Sequence, residues 1–134
     1  KKKTEENFYN NQKHGYFIFY NQKGKISLKE EYRFDNLHNE RIVYFENGKV
    51  NSKEYYLAGR KASVWFEYAK NTQLLQTTTY RNDKKEGLEK RYFENGELKY
   101  EGSYLKGNKH GTWKFYDEKG IKIKTEKYSK GVLK

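Results

Sequence analysis

The sequence predicts an all-β protein: a row of five 24-residue β-hairpin repeats forming an extended, twisted antiparallel meander sheet. Three observations predict it. Tyr20, Tyr44, Tyr68, Tyr92 and Tyr116 stand 24 residues apart, and so do Tyr32, Tyr56, Tyr80, Tyr104 and Tyr128, with Phe8 heading the second series. Ten of the eleven glycines fall in three registers of the same period: Gly24, Gly48, Gly96 and Gly120; Gly15, Gly87 and Gly111; Gly59, Gly107 and Gly131. Thr72, Asn39 and Ser63 stand in for glycine in the first two, and only Gly102 lies outside. Short runs rich in Tyr, Phe, Val and Ile flank Asn47-Gly48 and Asn95-Gly96, and such residues fit a pleated surface.

The elements follow in order. Residues 1–7 form a charged lead-in, KKKTEEN. The repeats run 8–31, 32–55, 56–79, 80–103 and 104–127, with a fragment at 128–134, and together make one domain. In each repeat, two strands of about six residues flank a tight turn. Asn-Gly predicts a two-residue type I′ turn, whose central residues both need positive φ. The glycine-containing stretch from Tyr to His-Gly then returns the chain to the next unit. A helix is excluded, because glycine recurs in mid-window and no 3.6-residue spacing is present. The lead-in and the Lys-rich tail from Lys124 to Lys134 place charge at both open edges of such a sheet, which reads as protection against edge pairing or, alternatively, as plain solubility.

Composition narrows the function classes. The 134 residues include 29 Lys and Arg against 18 Asp and Glu, a net charge of +11. Leu, Ile, Val and Phe number only 26, a share typical of disordered chains. The 18% aromatic content argues the other way, since amphipathic rings can pack their bodies and leave their hydroxyls wet. A thin sheet suits that balance. No stretch approaches the ~20 apolar residues of a membrane-spanning helix. With no Cys, disulfide scaffolds, Cys-ligated metals and Cys nucleophiles are excluded. The chain begins with Lys rather than Met, so a cleaved export signal and a trimmed start both fit. The cell envelope or exterior is favoured over the cytoplasm.

The segment from Tyr104 to Gly120 reads Y-x-x-G-x-K-H-G-x-W-x-x-Y-x-x-x-G. It resembles the MORN-repeat variant of bacterial proteins, a group also labelled YwqK-like antitoxin. The resemblance covers residues 8–134 and is clearest in repeats one, four and five. Repeat three departs most, with Ala62-Ser63 in place of the His-Gly pair and Asn71-Thr72 in place of Asn-Gly. The resemblance implies a row of antiparallel hairpins, a binding or scaffolding role, and no catalytic residue. MORN repeats also accompany the catalytic domain of some plant phosphatidylinositol-phosphate kinases. This chain has no glycine-rich phosphate loop before a helix and no acidic metal motif, so a kinase name would be misplaced. A weaker likeness is to aromatic-rich choline- or glucan-binding hairpins.

Candidate sites are few. Alternate strand residues face opposite sides. One face carries Phe17, Arg41, Trp65, Glu89 and Trp113 in a single register, beside Phe19, Val43, Glu67, Arg91 and Phe115. These rings interleaved with charge make a candidate ligand-contact strip; alternatively they pack on neighbouring hairpins. His14, His38 and His110 share a register but lie about 9–10 Å or more apart, too far to share a metal. They read as turn histidines bonding local backbone. Glu46, Glu94 and Glu118, and likewise Glu30, Glu54 and Glu126, recur as a solvated face would make them. No cofactor or metal is expected. The expected partner is another protein, or else an anionic lipid headgroup or envelope polymer, with no specific nucleic acid. Monomer and edge-paired dimer both fit.

Overall fold

A computed structural model describes residues 4–134. Fifteen strands follow in order: β1 (Thr4–Glu5), β2 (Phe8–Tyr9), β3 (Gln12–Lys13), β4 (Gly15–Tyr20), β5 (Ile26–Arg33), β6 (Asn36–Tyr44), β7 (Val50–Leu57), β8 (Arg60–Lys61), β9 (Ser63–Tyr68), β10 (Leu74–Arg81), β11 (Lys84–Tyr92), β12 (Leu98–Leu105), β13 (Asn108–Tyr116), β14 (Lys122–Ser129) and β15 (Val132–Leu133). The described residues contain no helix. All strands but β2 and β3 form one antiparallel sheet, in which sequence neighbours are spatial neighbours and β7 pairs with both β8 and β9. The hairpin-row architecture is the one the sequence predicts. Of the charged lead-in, residues 1–3 lie outside the described residues, while Thr4 and Glu5 pair with Phe19 and Ile18 at the first edge. At the other edge, β15 covers only Tyr128 and Ser129 of β14, whose remaining length carries Lys122, Lys124 and Lys127.

The turns differ from expectation in an instructive way. Asn47 and Asn95 do not take positive φ; only Gly48 (86°) and Gly96 (93°) do. Gly48 N donates to Phe45 O at 2.9 Å and Phe45 N to Lys49 O at 2.8 Å, which closes a three-residue loop instead of a type I′ turn. Asn47 Oδ1 accepts from Lys49 N at 2.9 Å, so the asparagine stabilises the loop through its side chain in a right-handed backbone. The two-residue type I′ turns stand at the opposite end of the strands: Asn10-Asn11 (49°, 64°), Phe34-Asp35 (48°, 69°), Ala58-Gly59 (49°, 82°), Asn82-Asp83 (48°, 70°), Lys106-Gly107 (51°, 87°) and Lys130-Gly131 (50°, 83°). The stretch expected to be a connection is therefore itself a hairpin. Most strands accordingly run eight or nine residues rather than six.

Every described residue with positive φ falls in one of four registers of the 24-residue period. Asn39 (69°), Ser63 (58°) and Thr72 (77°) adopt the left-handed backbone of the glycines they replace. The register of Gly15, Asn39, Ser63, Gly87 and Gly111 sits beside breaks in the ladder, as where Thr78–Tyr80 of β10 span Glu89–Lys85 of β11. Such bulges bend a strand and raise its twist.

Candidate functional site

Directly opposed residues in an antiparallel ladder share a face. One line of pairs runs Phe17, Glu30, Arg41, Glu54 across β4 to β7. It continues as Trp65, Thr78, Glu89, Gly102 across β9 to β12, and then as Trp113 and Glu126 on β13 and β14. This inner row is where burial concentrates. Phe17 and Trp113 are 2% and 1% exposed, and Thr78 and Glu89 5% and 3%. The Tyr32 series flanks it: the Phe17–Tyr32, Trp65–Tyr80 and Trp113–Tyr104 ring centroids lie 5.1, 4.7 and 5.2 Å apart. Each indole N–H is spent on backbone, Trp65 Nε1 on Tyr55 O at 3.0 Å and Trp113 Nε1 on Ser103 O at 3.1 Å. The Tyr20 series pairs instead across the three-residue loops, Tyr20 with Ile26, Tyr44 with Val50, Tyr68 with Leu74 and Tyr92 with Leu98, and every member is half-buried.

The five residues of the expected contact strip are thus brought into one line, but as packing. Phe17, Glu89 and Trp113 are closed to a ligand resting on the surface, and Arg41 is held by two carboxylates. Arg41 Nε donates to Glu30 Oε2 at 2.8 Å and Nη1 to Glu54 Oε1 at 3.0 Å. Glu30, Glu54 and Glu126 do not form a solvated face. They belong to the inner row and accept from the phenols of Tyr32, Tyr56 and Tyr128 at 3.2, 3.1 and 2.9 Å. Glu89 accepts from Tyr100 OH at 3.1 Å, Lys85 Nζ at 2.9 Å and Thr78 Oγ1 at 3.4 Å. Burial, and then the neighbouring carboxylate, pushes the Tyr56 and Tyr100 phenols up to about 12. They remain donors throughout the physiological range.

A register missed in the sequence completes this face: Lys13, Leu37, Lys61, Lys85 and Lys109. Lys13 Nζ lies 5.1 Å from the Phe17 ring centroid and 4.7 Å from that of Tyr32. Lys61 Nζ lies 4.9 Å from Trp65 and Lys109 Nζ 4.7 Å from Trp113. Where the row holds Glu89, Lys85 becomes its counter-ion; where it holds Arg41, the register has Leu37 and avoids like charge. The 24-residue spacing of these lysines was the available signal, hidden by lysine elsewhere in every repeat.

The outer face displays a second unbroken line of pairs: Ile18, Lys29, Ile42, Lys53, Phe66, Thr77, Lys90, Glu101, Lys114 and Thr125. Around it, Tyr16, Val64 and Leu88 are exposed.

From Phe34-Asp35 onward the type I′ turns are hooked to the preceding strand. The second turn amide donates to a carbonyl 22 residues back in each case: Asp35 to Lys13, Gly59 to Leu37, Asp83 to Lys61, Gly107 to Lys85 and Gly131 to Lys109, at 2.7–3.1 Å. His38 Nδ1 accepts the first turn amide, from Ala58 at 3.3 Å. His14 packs against the rings of Tyr9 and Phe34, with a buried Nδ1 that has no partner. His110 lines a cleft beside the last turn with Asn108 and Ser129. No group of three His, Asp or Glu side chains placed to hold a metal occurs among the described residues.

Comparison with known proteins agrees with this geometry. The family described as MORN repeat variant matches residues 37–58, 85–106 and 109–133, just over half of the chain. The first matched residues 37, 85 and 109 are spaced by 48 and then 24, whole multiples of the repeat. No curated protein matches the chain. The turn hooks, the tyrosine registers and these three matched segments share one period, and the chain belongs to the MORN repeat variant family, whose repeats occur in scaffold and binding modules.

Proposed function

We propose that this chain is a non-enzymatic interaction module whose sheet is offered to a protein partner. One observation carries the reading: the frame is constant while the display varies. The positive-φ registers are complete from end to end. The outer-face register, by contrast, reads Tyr16, Glu40, Val64, Leu88 and Thr112. A mere spacer has no use for such variation, whereas recognition depends on it. The inner carboxylates support the non-enzymatic part, because each already accepts from a tyrosine and none stands ready for proton transfer. The test is capture of a partner from the source cell by the immobilised chain. Val64→Glu/Leu88→Glu should abolish capture at unchanged melting temperature. Capture that survives this variant removes the outer face from the proposal, and ATP turnover by the pure chain would overturn its non-enzymatic part.

A second reading is attraction to an anionic lipid or envelope polymer. It is favoured by the outer-face line, in which Lys29 and Lys53 alternate with Ile18, Ile42 and Phe66 before Lys90 and Lys114 follow on either side of Glu101. Sedimentation with anionic vesicles should then fade as salt rises to about 0.5 M, where the Debye length is only a few ångström. Membership of the bacterial antitoxin-labelled branch is proposed on the Tyr104–Gly120 motif. Rescue of growth on co-expression with an adjacent toxin gene would test it.

A further inference from the structure

The clefts beside the type I′ turns are not alike. Beside the Lys106-Gly107 turn, Glu86 supplies its own carboxylate: Oε1 accepts from Lys106 N at 3.3 Å and Oε2 lies 3.4 Å from Arg81 Nη1. Beside Ala58-Gly59, His38 accepts the equivalent amide. One unit before Glu86 the same register holds Ala62, whose side chain ends at Cβ. The amide it would cap, Asn82 N, has no hydrogen-bond partner among the described residues. Here the wall opens into a cleft of about 370 Å³ lined by Leu57, Arg60, Ala62, Arg81, Asn82 and Glu86. Glu86 directs its charge to Arg81 and the Lys106 amide, which leaves Arg60 and the turn amide to receive a further acceptor.

We infer that the Ala62 cleft takes a carboxylate from an acidic segment of the protein partner, seated where Glu86 seats its own carboxylate one unit later. The inference rests on the interaction-module reading and names the partner's chemistry. A carboxylate has two oxygens: in the Glu86 cleft one takes the turn amide and the other Arg81, and in the Ala62 cleft, where Leu57 holds the place of Arg81, Arg60 is the second donor. Charge-assisted bonds of this kind are shorter and stronger than neutral ones. Leu57, 49% exposed, offers apolar contact to the stem of the incoming side chain.

The probe is an N-acetylated, amidated hexaglutamate peptide, followed by amide NMR at low salt, with hexaglutamine and inorganic phosphate as comparisons. Hexaglutamate should shift the Asn82 resonance saturably. Ala62→Glu, which supplies the carboxylate from within, should weaken that binding about tenfold or more, a loss of about 1.4 kcal/mol. Arg60→Gln alters only an exposed side chain and should weaken it similarly, so the test survives misfolding of the first variant. The inference is overturned if hexaglutamine shifts Asn82 equally. It is also overturned if the shifts spread evenly over the lysine-bearing strands and persist in both variants, or if phosphate saturates the cleft and hexaglutamate does not. A captured partner whose affinity is untouched by Ala62→Glu overturns this inference alone. Absence of any partner counts against the module reading and leaves the peptide titration to decide the cleft.

Discussion

Trp113 lies flat on Gly102, so close that a Cβ built at residue 102 would fall inside the indole. Gly102 is the one glycine outside the three registers and the one without positive φ. It is required for the space above it, not for its backbone freedom. Gly102→Ala should therefore cost about 3 kcal/mol through overpacking. Gly24→Ala, where the backbone is left-handed but the surroundings are open, should cost about 1 kcal/mol. Urea midpoints of the two variants test this order.

Two turn positions carry side chains poorly matched to their backbone. Thr72 is β-branched at φ 77°, where the other repeats use glycine. Thr72→Gly should stabilise the chain by about 1 kcal/mol. Ala58 opens a type I′ turn at φ 49°, a position that favours asparagine, and Ala58→Asn should add about 0.5 kcal/mol. Melting temperatures should rise in both variants and further in the double variant, since the positions lie in different turns.

Lys85 and Lys109 occupy one register but face different partners. Lys109→Met loses its contacts with the Trp113 and Tyr128 rings and should cost about 1 kcal/mol or less. Lys85→Met leaves the buried Glu89 carboxylate without its cation and should cost about 3 kcal/mol. Urea midpoints of the two variants separate them.

Alkaline pH should loosen the sheet. The Tyr56 and Tyr100 phenols rise from 10.0 to about 12 on folding. A raised value means the folded state holds the proton more tightly. This contribution is fully present below pH 10 and is lost as pH climbs towards about 12. Lys85, also raised, acts in the same sense. Tyr56→Phe/Tyr100→Phe should melt lower than wild type at pH 8 and show a smaller further decline between pH 9 and pH 11.

The period, and with it the hairpin row, was legible because tyrosine and glycine are constrained one residue at a time. Tyrosine recurs where a ring must cover its neighbour, and glycine where φ is near 80–100°. The turn assignment was not legible because the first type I′ position, near 50°, tolerates Phe34, Ala58, Asn82, Lys106 and Lys130. The αL region is costly but allowed for ordinary residues, and this register spends that cost on Asn, Phe, Ala and Lys alike, so the position leaves no compositional mark. The contact strip misled for a related reason. Phe17, Trp65 and Trp113 share a register with Arg41 and Glu89, which looks like a wet surface until the lysines above and the carboxylates beside them are placed. Gly102 opposite Trp113 was visible in the sequence, but its meaning depended on which strand lies alongside.

Each type I′ turn from Phe34-Asp35 onward is hooked to the strand about 22 residues behind it. Among the described residues no hydrogen bond ties the first unit to the fifth, so length is nearly a free parameter: inserting or excising a whole 24-residue block keeps the turn hooks and remakes side-chain packing only at the seam. Under tension such a ribbon would come apart one unit at a time from an end, and the reach of the module could be retuned by gene duplication with new packing needed only where the blocks join.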